Sequence, residues 1–210
     1  MEKINILIVD DESLLRQRLR TMLEKEIFVN SVYEAADESE SVHQLNNHRI
    51  DLLLLDIRLR TSTGFELMQK LAAIKKEPKI IAVTGLDGIE TIINLLKAGV
   101  HGIVYKLDGY SEIQKAIKAV MGAGTYFPEN ILRIIQSNSH RWNQVHLVTL
   151  SQPDKLLLKA IACGFTTKEI ADELKMSPAT AETYRVRLLR KVGVSNTAGL
   201  LAYAFRNGIL

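Results

Sequence analysis

The chain has 210 residues, of which 47% are hydrophobic and 24% charged, and a formal net charge of +3. That is enough apolar material for a true core and argues against wholesale disorder, while no apolar run approaches the roughly 18 residues of a membrane span. Met1-Glu2-Lys3-Ile4 lacks the basic-then-apolar start of a signal peptide, and one cysteine permits no internal disulfide, so a cytoplasmic protein of one large or two small domains is expected.

Ile4–Val9 is a continuous apolar run, as a buried parallel strand requires. Ser13–Glu26 follows with helical spacing at Leu14, Leu15, Leu19, Met22 and Leu23. Val29–Ala35 reads as a strand, Ser39–Asn47 as a short helix, and Leu52–Leu55 as the most buried strand. Gly64–Lys76 is helical through Phe65, Leu67, Met68, Leu71 and Ile74, and Pro78 stops it. Lys79–Val83, Gly88–Ala98, Gly102–Tyr105 and Ser111–Met121 complete five strand–helix units. That alternation predicts a flavodoxin-like α/β domain over residues 1–122, five parallel strands in the order 2-1-3-4-5 with helices on both faces.

In such a sheet, ligands sit beyond the carboxyl ends of the strands. Asp10 and Asp11 follow the first strand, Asp56 the third, Thr84 the fourth and Lys106 the fifth. A lone acid at a strand end is commonly a helix cap, but three carboxylates, a hydroxyl and an ammonium on one edge form a site. Close carboxylates repel unless a cation holds them, and hard oxygen donors suit Mg²⁺. A carboxylate can also act as nucleophile and form an aspartyl phosphate.

These residues resemble the receiver domain of two-component response regulators. The resemblance rests on Val9-Asp10-Asp11-Glu12, on Leu55-Asp56-Ile57-Arg58-Leu59 with Gly64, on Val83-Thr84-Gly85, and on Lys106. It implies that a sensor histidine kinase phosphorylates Asp56. It further implies that Asp10, Asp11, Asp56 and the Arg58 backbone carbonyl bind Mg²⁺, that Lys106 binds the phosphoryl group, and that Thr84 is the switch hydroxyl. Three positions depart from the family pattern: Arg60 and Leu107 stand where proline is common, and Ile103 stands where the switch aromatic sits, three residues before Lys106.

After Met121 the alternation stops. Gly122-Ala123-Gly124 leads through Pro128 to a short helix around Ile131–Ile135, and residues 123–146 read as linker. From 147 on the pattern is purely helical, and residues 147–210 carry nine Lys/Arg against five Asp/Glu, a mild pointer to nucleic acid. Thr167–Lys175 reads as a short helix, and Met176-Ser177-Pro178 as a turn with Ser177 as N-cap. The next helix, Pro178–Val192, is expected to bury Ala181, Tyr184, Leu188 and Val192 and to expose a basic face. A helix–turn–helix entered this way fits a DNA-recognition unit.

Leu150-Ser151 through Leu158, the run from Gly164 to Ala171, Ser177 to Thr180, and Leu189 to Val194 look like the LuxR-type four-helix DNA-binding domain. The resemblance assigns phosphate contacts to Lys168, Thr180 and Arg190 and groove-facing positions to Glu182, Thr183 and Arg187. Thr167 and Arg185 complete the expected double-stranded DNA interface. Pro153-Asp154 replaces the usual Arg-Glu, Tyr184 a common His, and Glu182 a frequent Lys. The final helix, Thr197–Asn207, is expected to serve a homodimer through Leu200, Leu201 and Ala204.

The five histidines show no metal spacing, and there is no GxxxxGK or GxSxG motif. Cys163, among Leu158, Ile161 and Phe165, is expected to be buried filler. The leading expectation is a phosphorylation-controlled DNA-binding transcription regulator. It would be no enzyme beyond its own phosphoryl transfer and dephosphorylation. Two alternatives stand beside it: a DNA-binding regulator independent of phosphorylation, whose receiver serves mainly to dimerise, and a small phosphotransfer or hydrolase enzyme.

Overall fold

A computed structural model describes residues 3–60, 63–73, 77–85, 88–142 and 148–210. The expected helical position at Ile74, the end of the expected linker at 143–146 and the start of the C-terminal segment at 147 lie outside the described residues.

The strands are β1 (Ile4–Val9), β2 (Val29–Ala35), β3 (Leu52–Leu55), β4 (Lys79–Thr84) and β5 (Gly102–Tyr105). They form one sheet in the order β2-β1-β3-β4-β5, and the β1–β2, β1–β3 and β3–β4 pairs are parallel. Every residue of β3 is buried, which is why its sequence is an unbroken leucine run rather than an alternation. The helices between the strands are α1 (Ser13–Leu23), α2 (Glu38–Asn47), α3 (Gly64–Ala73), α4 (Ile89–Ala98) and α5 (Tyr110–Met121).

Helix α1 ends three residues earlier than its spacing predicts, with Glu24 as C-cap. Its inward face is also narrower: Leu19 and Leu23 are buried, whereas Leu14 and Met22 are 60% and 44% exposed. The five apolar residues span more of the helix surface than one sheet face can cover, so the outer two stay in solvent.

The C-terminal part contains α6 (Glu129–Ser137), α7 (Gln152–Ala162), α8 (Thr167–Glu173), α9 (Pro178–Val192) and α10 (Thr197–Arg206). Contacts divide the chain into two compact units: residues 1–86 with 104–113, and residues 87–103 with 114–210. In the second unit, Tyr126 donates to the His101 carbonyl and accepts from the Ile103 amide, extending the sheet edge at β5. Residues Thr197–Ala204 of α10 are all buried there, and α10 packs against α4, α6, α7 and α9. Leu200, Leu201 and Ala204, expected at a dimer contact, are instead spent inside the chain's own core.

Candidate functional site

The strand register builds the acidic site. Ile8 and Val9 of β1 lie beside Leu54 and Leu55 of β3, so the next residues, Asp10 and Asp56, emerge as neighbours. The Asp56 amide donates to the Val9 carbonyl at 2.8 Å, carrying the ladder one step past the strands. Asp10 and Asp56 are buried and Asp11 is half-buried, and one carboxylate oxygen from each lies within 4.8 Å of the others. Helix α1 has Glu12 at its N-cap with no side-chain cap bond, so neither Asp10 nor Asp11 is used as the cap.

Lys106 closes the cluster from the end of β5. Its Nζ lies 2.8 Å from Asp10 Oδ2, 2.8 Å from Asp56 Oδ2 and 2.8 Å from Glu12 Oε1. Burial works against the Lys106 charge, but hydrogen bonds to the three carboxylates outweigh it and hold the ammonium above the usual lysine range. Burial likewise pushes the Asp10 carboxyl up, against the lowering effect of Lys106. Glu12 is held below its ordinary value, chiefly by its hydrogen bond to Lys106. Glu12, which directly follows the acid pair, thus joins the site although no role was expected for it.

Thr84, at the end of β4, is fully buried, and its hydroxyl has no hydrogen-bond partner among the described residues. A buried orphan hydroxyl costs stability unless something arrives to use it, and an incoming phosphoryl oxygen fits that need. Gly64 provides clearance: a Cβ there would meet the Asp56 backbone carbonyl at 2.9 Å, whereas one on Gly85 would meet only the movable tip of the Arg58 side chain. The Arg58 amide donates to Asp56 Oδ1 at 3.1 Å, which folds the segment after the acceptor back over the site. Arg60 approaches Asp11 at 3.9 Å but is largely exposed, so that pair is weak. Ile103 is fully buried in β5, and Tyr105 is half-buried.

Three carboxylates with hard oxygen donors in this arrangement suit a divalent cation such as Mg²⁺. The orphan hydroxyl and the Lys106 ammonium suit an anionic oxygen cluster brought in beside it.

The second cluster is a helix–turn–helix. Thr166 and Glu169 form a capping box at the start of α8, and Ser177 caps α9 by accepting from the Thr180 amide. Lys175, at φ 52°, makes the turn between the helices. Ala181, Leu188 and Val192 are buried as expected, whereas Tyr184 is half-buried with a polar partner, Asp154.

Lys168, Thr180, Glu182, Thr183, Arg187 and Arg190 are exposed along α8 and α9. Two other expected contacts turn inward. Thr167 is buried; its single hydroxyl proton is shared between the Ala123 carbonyl at 3.3 Å and Glu182 Oε2 at 3.0 Å. The Arg185 guanidinium donates to the Ala123 carbonyl and, at 2.9 Å, to Thr197 Oγ1. Its burial lowers the pKa of Arg185. The Gly122-Ala123-Gly124 segment, read as plain linker, thus carries the acceptor that draws both side chains away from solvent.

Asp154 is a further departure with a visible role. It is buried, donates nothing, and accepts from Lys191 Nζ at 2.6 Å and from the Ser151 amide at 2.8 Å. Burial opposes its charge, but Lys191, Ser151 and Tyr184 outweigh that and hold its carboxyl down to about 2. Cys163 is exposed at the C-cap of α7, not buried as expected; the helix has ended there, and the following Gly164 turns the chain away.

Comparison with known proteins places both regions in known families. Residues 6–118 match the response regulator receiver domain, and residues 148–204 match the LuxR family of bacterial regulatory proteins. A putative transcriptional regulator of Pseudomonas aeruginosa is 31% identical over 98% of this chain and 99% of its own length. The virulence factors putative positive transcription regulator BvgA of Bordetella pertussis is 30% identical over 97% of this chain and 98% of its own. RcsB of Salmonella enterica serovar Typhimurium, solved bound to promoter P1flhDC in the presence of the phosphomimetic BeF3-, is 25% identical. It superposes with a TM-score of 0.61 over 96% of this chain and 98% of that one. The chain belongs to the two-component response regulators, with a receiver domain followed by a LuxR-type DNA-binding domain.

Proposed function

We propose that Asp56 accepts a phosphoryl group from a sensor histidine kinase. Phosphorylation then favours a homodimer that binds double-stranded DNA through α8 and α9. The observation that carries this is Lys106, whose ammonium stands 2.8 Å from Asp56 Oδ2 and 2.8 Å from Asp10 Oδ2, with the unpartnered Thr84 hydroxyl at the neighbouring strand end.

In the transfer step an Asp56 oxygen attacks phosphorus. The new O–P bond forms as the N–P bond of a phosphohistidine breaks, and the histidine nitrogen leaves with the electron pair. Asp10, Asp11, Asp56 and the Arg58 carbonyl are the groups that would hold Mg²⁺, which when bound supplies positive charge to the phosphoryl oxygens. Lys106 exchanges its Asp56 contact for a phosphoryl oxygen, and Thr84 donates its hydroxyl to another.

The division of labour follows the sequence: residues 1–122 receive the phosphoryl group, 123–146 link, and 147–210 bind DNA. RcsB bound to promoter DNA and the BvgA transcription regulator support the DNA reading. No catalysis is assigned beyond the receiver's own phosphorylation and dephosphorylation. The cytoplasm, where kinase and DNA are both reached, is the compartment such a regulator requires; no described helix is long and apolar enough to cross a membrane. A regulator indifferent to phosphorylation is not favoured, because its acid site would have no reason to keep a buried, unpartnered hydroxyl.

Wild type incubated with a small phosphodonor and Mg²⁺ is expected to gain one phosphoryl mass, and Asp56→Asn none. A phosphoryl group on the Asp56→Asn protein by intact mass would overturn the assignment.

A further inference from the structure

The β1–α1 junction holds a cation that the phosphoacceptor reading leaves without a role. Arg16 lies on the inward face of α1, three and seven residues before the buried Leu19 and Leu23, and its side chain is only 16% exposed. Its Nη1 donates to the backbone carbonyl of Asp10 at 2.5 Å. Its Nε stands 3.8 Å from Glu34 Oε1 on β2 and is buried without a hydrogen-bond partner. A long charged side chain is thus ordered against the sheet, at the cost of one unsatisfied N–H, to reach one backbone oxygen.

That oxygen belongs to the peptide joining Asp10 to Asp11. On a regular strand, consecutive side chains point to opposite faces. Two adjacent carboxylates face one point only where the strand has ended and the peptide between them is turned. The orientation of that peptide sets ψ of Asp10 and φ of Asp11, and with them the angle between the two carboxylates. The other groups of Asp10 are also tied: its amide donates to the Ala35 carbonyl at 3.2 Å, and its Oδ1 accepts from the Glu12 amide at 2.8 Å. Arg16 supplies the tie on the carbonyl. Hydrogen bonds from an ionised donor are roughly twice as strong as neutral ones, and the guanidinium fork reaches the carbonyl while facing Glu34.

We propose that Arg16 is a positioning residue for the divalent cation: it fixes the Asp10–Asp11 peptide so that both carboxylates face Asp56. The inference rests on the reading of Asp10, Asp11 and Asp56 as the Mg²⁺ ligands and adds to it a residue outside the ligand set. Ligand-orienting partners of this kind typically change metal affinity by about 10–100-fold when removed.

The test titrates Mg²⁺ calorimetrically into the full chain as wild type, Arg16→Met, Arg16→Lys and Glu34→Gln, with the urea midpoint of each measured without metal. Arg16→Met keeps the apolar stem and much of the volume but has no donor; it is expected to weaken Mg²⁺ binding by about 10-fold or more. Arg16→Lys restores a charged donor and is expected to recover most of that loss. Glu34→Gln leaves the carbonyl tie in place and is expected to lower the urea midpoint with Mg²⁺ affinity within about 3-fold of wild type. Should Arg16→Met fail to fold, Arg16→Leu takes its place: Mg²⁺ binding about 10-fold weaker than wild type or more supports the role, and binding within about 3-fold of wild type overturns it. An Arg16→Met protein that binds Mg²⁺ like wild type despite a lower midpoint shows a brace of the fold and overturns the proposal alone. A wild type that takes up no Mg²⁺ overturns the metal reading, and this role with it.

Discussion

The acid site and the outer surface of α9 carry their charges in opposite ways. At the sheet edge, Asp10 and Asp56 are buried and both are bonded to the mostly buried Lys106, so each charge has one place to be. On α9, Glu182, Thr183, Arg187 and Arg190 are exposed. Buried charges are costly unless paired, so their positions are fixed before any ligand arrives. Exposed basic residues cost little and gain their energy only when they neutralise phosphates and release the counterions condensed on the nucleic acid. The first region is therefore a preset chemical site, and the second a surface whose preference is decided by what it meets.

Substitutions that exchange these two behaviours test the contrast. The largest effect is expected from Lys106→Ala, which leaves two buried carboxylates without their ammonium; breaking a buried pair costs roughly 3–5 kcal/mol. Urea unfolding should show a loss near the lower end of that range, because Lys106 keeps some solvent contact. Added Mg²⁺ should recover much of it by taking the ammonium's place. A loss untouched by Mg²⁺ would mean that the three carboxylates do not share a cation.

A charge in the C-terminal unit, that of Asp154, behaves like the acid site. Asp154 is held at about 2 against an ordinary 3.8, and a carboxyl lowered that far contributes up to about 2 kcal/mol of stability. Because the folded pKa is the lower one, that contribution is complete above about pH 4 and is lost as pH falls through about 2. The stability gap between wild type and Asp154→Asn, followed by unfolding at a series of pH values, should be widest near neutrality and close toward pH 2. A gap that stays constant with pH would deny the ion pair with Lys191.

Smaller effects are expected on α8 and α9. Lys168→Ala and Arg190→Ala should each weaken DNA binding evenly across sequences and lower the salt slope by about 1. Arg185→Ala should lower the stability of its unit, since its guanidinium holds Ala123 and Thr197, and leave the salt slope unchanged. Glu182→Lys should change which sequences are selected, because base contacts are worth about 1–3 kcal/mol each. The same preferred site from wild type and Glu182→Lys would remove Glu182 from the reading face.

The same contrast explains what was legible in the sequence. The leucine run of β3 and the acids at the ends of β1 and β3 declare both the sheet and the site, because a strand end leaves a side chain few directions to point. Helix faces are less explicit. Leu14 and Met22 have the spacing of core residues yet remain exposed, and Arg185 stands among basic surface residues yet is drawn to a linker carbonyl. No local pattern distinguishes Arg185 from Arg187, because the difference is made by Ala123, 62 residues away. Arg16 was readable in principle, as a charge sharing the i, i+3, i+7 face of Leu19 and Leu23; its target, a backbone oxygen, leaves no trace in the side-chain sequence. Tyr126, which adds to the edge of β5, does so through main-chain bonds and is silent in the same way.

Coupling between the acid site and the surface of α9 is measured most directly by DNA affinity with and without phosphoryl-mimic loading, at fixed salt. Ile103, stiff at χ1 and smaller than an aromatic ring, offers a weak two-state element, so the expected gain on loading is nearer 10-fold than 1,000-fold, about 1.4 kcal/mol of coupling. That gain should vanish in Asp56→Asn. Equal affinity with and without loading in the wild type, or a gain that survives in Asp56→Asn, would contradict control of DNA binding through Asp56.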